Sequence, residues 1–208
     1  MCGRYSSDGV DVSKLVERFD AQNTLEEFVP NHNIKPTQDA PVVVERDGNR
    51  ELFLMQWGLI PSWAKDPKIG YKMFNARAET VGEKPAFKSS FRRKRCLIPA
   101  TGFYEWQHEG RGKVPYLFTV GDHELFGFAG LYDSWRTPDG EVLYTYTLIT
   151  TTPNELVAPV HNRMPVILPR DKEQLWIDPE VEDPGFLQSL LEPYPAELMQ
   201  MTKVEGKL

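Results

Sequence analysis

The chain is short of nearly every pattern that announces a familiar chemistry. Its 208 residues include only two cysteines, Cys2 and Cys96. Far apart and without CxxC spacing, they make neither a disulfide framework nor a zinc knuckle, which suits a reducing compartment. The four histidines, His32, His108, His123 and His161, show no paired metal-ligand spacing. There is no P-loop, no glycine-rich dinucleotide loop after a strand, no HExxH, no GxSxG elbow and no EF-hand loop. Neither a metal nor a nucleotide cofactor is expected. No eighteen apolar residues run together, and the first fifteen residues carry polar and charged groups throughout. The expectation is a cytoplasmic protein that neither enters a secretory route nor spans a membrane.

What is present is an ordinary globular composition, with 40% hydrophobic and 26% charged residues, enough for one sizeable core. A single domain over residues 1–208, monomeric by default, is the simplest organisation. The formal net charge of -6 argues against broad affinity for phosphates. Charge is unevenly spread, however. The stretch KPAFKSSFRRKRC holds Lys84, Lys88, Arg92, Arg93, Lys94 and Arg95 without an acid, whereas the chain from Asp178 onward is mostly acidic. From the run alone, a solvated helix face is as good a reading as a nucleic-acid footprint.

DVSKLVERFD places Val12, Leu15, Val16 and Phe19 at helical spacing, with Ser13 near the start. VVVERDGNRELFLMQW is two β-prone runs around Asp47-Gly48, a dipeptide suited to a tight hairpin. RCLIPATGFYEWQ, VPYLFTVGDHELFGFAGLY and VLYTYTLITT continue the strand pattern between Gly- and Pro-containing turns. Further helical pieces are predicted within Glu79 to Phe91, after Pro153, from Asp171 to Ile177 and from Gly185 to Leu191. Hairpin-like links without repeated βαβ crossovers predict an α+β fold with an antiparallel or mixed, barrel-like β core and flanking helices.

Cys2 follows the initiator methionine. Trimming Met1 leaves a residue with a thiol and a free α-amine, a 1,2-aminothiol. The amine titrates at about 7.7 to 8, so a useful fraction is neutral near neutral pH. It attacks an aldehyde to give an imine, and the thiol then closes a five-membered thiazolidine at high effective molarity. In isolation, an MC pair is more often a small hydrophobe or an idle terminus.

MCGRY is followed in order by NIKPTQ, WGLIPSWAKD, FNARAET, CLIPATGFYEW, LITTTPN and VHNRMPVIL. Together these motifs resemble the SRAP family, the SOS response-associated peptidase proteins that process abasic sites in single-stranded DNA. The resemblance covers roughly residues 2 to 180 and implies an SRAP-like fold.

It also implies that Cys2 reacts with the open-ring aldehyde of an abasic deoxyribose, protecting the site from strand cleavage. In this reading Asn75 hydrogen-bonds the adduct, Glu105 is the general acid/base, and His161 assists proton transfer. Without the motif, Asn75 reads as a turn residue, Glu105 as the solvent face of a strand, and His161 as structural.

Arg4, Arg77 and Arg163 fall at matching places and become expected phosphate contacts. Trp57 and Trp63 are candidates for stacking on bases, with core packing the competing role for Trp57. Thr150 and Thr151 are weaker candidates for backbone contacts. The implied partners are abasic single-stranded DNA and, as candidates, replication-fork proteins, placing the protein with the nucleoid when bound to DNA.

The implied enzyme chemistry is Schiff-base, lyase-type self-crosslinking. Removal of Met1 by the protein itself and trimming by an aminopeptidase both fit. Two other classes remain. One is a noncatalytic reader of modified or damaged DNA. The other is an N-terminal-cysteine glutamine amidotransferase, disfavoured because the later asparagine-glycine and GNGD-like motifs are missing.

Overall fold

The computed structural model describes residues 2–25, 28–110, 112–206 and 208. Its first half runs β1 (Tyr5–Ser6), α1 (Val12–Phe19), β2 (Gln22–Asn23), β3 (Asp39–Arg46), β4 (Asn49–Trp57), β5 (Asn75–Arg77), α2 (Lys88–Arg93) and β6 (Arg95–Ala100). The second half runs β7 (Gly102–Glu109), β8 (Gly112–Val120), β9 (Phe126–Arg136), β10 (Val142–Thr151), β11 (Met164–Pro165) and β12 (Ile167–Leu168), then α3 (Arg170–Ile177), α4 (Pro184–Ser189) and β13 (Met199–Lys203).

Five strands close a mixed barrel. β3 pairs antiparallel with β4 and β6, β6 with β9, and β9 with β10. A parallel β10–β4 pairing completes the ring. Closure leaves these strands without a free edge. Beside the barrel, β1, β7, β8 and β13 form a second sheet in that order. The expected α+β class with a mixed barrel-like core is the one observed.

Local chemistry explains the main elements. Asp47 and Gly48 both have positive φ, 51° and 77°, so the β3–β4 hairpin turns between Arg46 and Asn49. Helix α1 has Ser13 near its start, as expected; Asp11 is the cap, and its side chain accepts from the Lys14 N–H. Leu15 and Phe19 turn inward, and Asp20 ends the helix in the left-handed region. Within Glu79–Phe91 only the part from Lys88 is helical, because Gly82 and Pro85 interrupt the preceding turns.

The barrel interior is aromatic. Trp57 lies parallel to Tyr146 at 6.3 Å and meets the edge of Tyr5 at 5.1 Å, while the Tyr5 and Tyr146 hydroxyls share a 2.6 Å hydrogen bond. Each such burial contributes about 1.5–3 kcal/mol. A second cluster, with Leu15, Phe19, Trp176 and Leu187, lies under the helices. Arg18 pairs with the buried Glu173 at 2.7 Å and joins α1 to α3.

The basic run does not form one surface. Arg95 is 2% exposed and donates to the carbonyls of Phe91, Arg92, Trp176, Asp178 and Val181. Burial pulls its guanidinium down to about 10. It is a staple between α2, α3 and the segment before α4. Lys94 pairs with Asp133 and Arg93 with Glu182. Among the described residues, Lys84, Lys88 and Arg92 remain from the run without an ion pair.

The chain leaves β4 through Gly58, whose φ is 129°. A Cβ there would lie 2.6 Å from the Gly70 carbonyl oxygen, a backbone atom that cannot swing away. Gly58→Ala is expected to lower stability by about 2 kcal/mol or more, from the strained φ and the clash together. Urea unfolding measures this; a midpoint equal to that of the wild type would contradict the packing described.

Candidate active site

Chain ends usually fray, but here the arm beginning at Cys2 is gripped on both edges. On one side Tyr104 N–H donates to the Arg4 carbonyl at 3.0 Å, and Thr101 N–H donates to that of Ser6 at 2.8 Å. On the other, Tyr5 and Ile34 exchange bonds of 3.2 and 2.8 Å, and Ser7 N–H donates to Asn31. β1 pairs Tyr5 with Phe103. Continued toward the terminus, this register sets Gly3 across from Glu105, so the residue opposite the glutamate carries no side chain.

Cys2 is fully buried, and its thiol donates weakly to the Arg4 carbonyl at 3.8 Å. Burial first, and then the charge of Glu105, hold the thiol well above its ordinary range. The described structure therefore closes this cysteine in rather than displaying it. Met1 itself lies outside the described residues.

Glu105 is 3% exposed. The inward half of β7, Gly102 to Glu105, is continuously buried, so the carboxyl faces the interior rather than solvent. Burial raises it to about 7. Its Oε1 has no hydrogen-bond partner among the described residues, and Oε2 lies 3.9 Å from His161 Nε2. Burial also lowers the His161 pKa, so near neutral pH a neutral imidazole faces a carboxyl that is about half protonated.

The other ring nitrogen, His161 Nδ1, meets both backbone groups of Arg163, the N–H at 3.1 Å and the carbonyl oxygen at 3.2 Å. One offers a proton and the other accepts one, so either tautomer finds a partner without turning the ring. Arg163 is held in turn by a bidentate pair with Glu79, at 2.7 and 2.9 Å, and by donation to the Thr150 carbonyl at 2.8 Å. Thr150 is the register partner of Arg77 on β5. Asn75, two residues earlier, donates to the Phe74 carbonyl, leaving its Oδ1 unpartnered among the described residues.

The structure thus sets Glu105 beside His161 and within electrostatic reach of Cys2, and joins Asn75, Arg77, Thr150 and Arg163 to His161 through β10. A cavity of about 330 Å³ opens beside them, lined by Glu105, Trp106, His108, Lys113 and His161. The Arg4 guanidinium lies 5.7 Å over Trp106 and donates to Asn33 Oδ1 at 3.0 Å. Arg77 is exposed, whereas the fork of Arg163 is already occupied.

Trp57 presents no face to solvent. It is fully buried with its indole N–H on the Phe74 carbonyl, so among the tryptophans expected to stack, only Trp63, 60% exposed, is available. Thr150 and Thr151 are 2% and 5% exposed and belong to the wall rather than the surface. Sequence reasoning missed Glu79, Asn33, His108 and Lys113. Glu79 stands within FNARAET and Asn33 begins NIKPTQ, which was the available signal.

A raised carboxyl has a stability consequence. In the unfolded chain Glu105 titrates near 4.5, and in the folded chain near 7. Its stabilising contribution is complete below pH 4.5 and is lost as pH rises through 7. Relative to Glu105→Gln, the wild type is expected to lose roughly 2 kcal/mol between pH 5 and pH 8. Urea unfolding at both pH values measures it, and parallel pH dependence in the two proteins would show that Glu105 is not desolvated.

Comparison with known proteins identifies the family and the fold. The family model described as SOS response associated peptidase (SRAP) matches residues 1–208. The abasic site processing protein YoqW of Bacillus subtilis (strain 168) is 46% identical over 209 residues, covering 99% of this chain and 93% of that protein. YoaM, another abasic site processing protein of the same organism, is 45% identical, covering 99% and 92%. A crystal structure of a protein from Bacteroides thetaiotaomicron superposes with a TM-score of 0.90 at 31% identity, covering 97% of this chain and 91% of that one. With a family match along its whole length and a relative 46% identical across nearly all of both chains, the chain belongs to the SRAP family.

Proposed function

We propose that this protein traps abasic sites in single-stranded DNA by forming a covalent thiazolidine between Cys2 and the sugar aldehyde. The observation that carries the reading is the burial of Cys2 within electrostatic reach of the buried carboxyl of Glu105, which itself lies 3.9 Å from His161 Nε2. The abasic-site processing named for YoqW and YoaM supports the same substrate.

The chemistry begins with loss of Met1, which frees the α-amine of Cys2. Its lone pair attacks C1' of the open-ring sugar, giving a carbinolamine. Protonated Glu105 delivers its proton to the departing hydroxyl, and water leaves with formation of an iminium. The thiol sulfur then adds to that carbon. Because the Cys2 thiol is held protonated, its proton must go to a base, and the carboxylate just formed at Glu105 takes it. Aldehyde and aminothiol become thiazolidine and water, and Glu105 ends as it began.

Thiol capture also has a protective effect. An iminium at C1' acidifies the C2' proton and invites strand cleavage by elimination, and ring closure removes the iminium. His161, with a proton partner for Nδ1 in either tautomer, suits proton transfer to the ring oxygen during opening and to the adduct during reversal. The unpartnered Asn75 Oδ1 and Glu105 Oε1 are acceptors for an adduct hydroxyl.

Arg4 and Arg77 supply phosphate contacts, and Trp63 a stacking face. Arg163, engaged by Glu79, orders the His161 turn and adds positive field.

Incubation with an oligonucleotide bearing one abasic site, followed by a denaturing gel, tests the reading. A covalent band is expected with the Met1-free protein and none with Cys2→Ala. Glu105→Gln is expected to slow its appearance about 100-fold or more. Reversible, salt-sensitive binding that is unchanged in Cys2→Ala, with no band in the wild type, would instead identify a noncatalytic reader.

A further inference from the structure

His161 stands near the end of an excursion that leaves β10 after Thr151 and returns at Met164, these two residues being register partners across β10 and β11. A strand pair thus closes the base of the excursion, but a closed base does not dictate where the far part lies. Loops take their shape from side chains that supply the backbone with partners. Asn154 is that side chain here. Its Oδ1 accepts from Leu156 N–H at 3.1 Å and from Val157 N–H at 3.0 Å. The Asn154 carbonyl accepts from Ala158 N–H at 2.9 Å, and the Val157 carbonyl accepts from both Val160 and His161 N–H, each at 2.9 Å. From Asn154 to His161 the chain is one relay of linked turns.

The other end of the carboxamide reaches outside the loop. Asn154 Nδ2 donates to the Tyr194 carbonyl at 2.7 Å and lies 3.2 Å from the Met199 sulfur. Met199 is buried at the start of β13, where it is the register partner of Val120 on β8. β8 pairs in turn with β7 and sets Tyr116 across from Glu105. One sheet therefore carries Glu105 and, through Asn154, anchors the loop that carries His161. An aspartate could keep the Oδ1 contacts but would meet the Tyr194 carbonyl without a proton.

Gln107 adds a shorter link. It lies two residues beyond Glu105 on β7, on the same face by strand alternation, and donates to the Pro159 carbonyl at 3.1 Å. Glu105 Oε2 and His161 Nε2 are 3.9 Å apart, a separation that no bond between their own elements enforces. The two amides enforce it from separate points, ahead of His161 in the chain, whereas the Arg163 contacts act behind it.

We propose that Asn154 and Gln107 are positioning residues for His161, which tie its loop to the sheet that carries Glu105 and thereby set the spacing of the two proton-transfer groups. The proposal rests on the role given to His161 above. It also gives the C-terminal segment a part in the chemistry, since Tyr194 meets Asn154 across 40 residues of chain.

The first test reads the protein without DNA. Glu105→Gln is expected to move the His161 ring resonances in the NMR spectrum of an otherwise wild-type chain, and to move them no more than about half as far in Asn154→Ala or Gln107→Ala. An equal response in all three backgrounds would overturn the proposal.

The second test follows the rate of crosslinking to an abasic oligonucleotide. Asn154→Ala is expected to slow it about tenfold or more. In a His161→Ala background the same substitution is expected to change the rate by about twofold or less, because the group it positions is already gone. Equal slowing in both backgrounds would mark a general structural defect and overturn the proposal, as would a wild-type rate in Asn154→Ala. If Asn154→Ala does not fold, Gln107→Ala, which loses one exposed hydrogen bond, decides by both readouts. If the wild type forms no crosslink, the covalent reading fails while the NMR comparison still decides the positioning.

Discussion

The grip on residues Arg4–Ser7, between β7 on one side and Asn31–Ile34 on the other, is the constraint on which the site depends. A nucleophile at a chain end gains an α-amine but ordinarily loses fixed geometry, because terminal residues have few contacts. Here two sets of backbone hydrogen bonds make the terminus an interior strand. Tyr5 completes the grip from below by entering the aromatic core and sharing a proton with Tyr146. Release of this arm would separate Cys2 from Glu105 without altering either residue.

Once Cys2 is held, burial sets the chemistry of its neighbours. The same desolvation raises both the thiol and the carboxyl, and each disfavours charge on the other, so the resting pair is biased toward neutral, protonated groups. A proton can therefore pass between them without leaving a charge stranded in the interior. Farther out, Glu79 and Thr150 hold Arg163, whose backbone serves both protonation states of His161 Nδ1. These contacts convert a surface ion pair, worth little by itself, into control over the orientation of an imidazole.

Sequence legibility followed the range of the interactions. The aminothiol chemistry proposed for Cys2 is a matter of covalent connectivity and needs no tertiary contact to be read. Helix α1 and the Asp47-Gly48 hairpin were readable because spacing and φ preference are local. Glu105 was ambiguous, since FYEW alternates equally well on either face, and only pairing with β1 and β8 decides which face is buried. Arg95 was misleading: four consecutive cations look like solvated surface, yet its partners include carbonyls up to 86 residues away. Glu79 and Asn33 escaped notice as partners because Arg163 and Arg4 lie 84 and 29 residues from them. Trp57 and Trp63, six positions apart in one motif, went to opposite fates when Trp57 closed the barrel.

The central claim is that both nucleophiles of Cys2 end bonded to one sugar carbon. Treating the protein–DNA adduct with borohydride and measuring the mass of its N-terminal peptide tests this directly. A thiazolidine resists reduction, so the predicted mass is that of peptide plus sugar minus one water, unchanged by the reagent. A gain of two hydrogens would show an open imine, and with it a site in which the buried thiol never closes the ring.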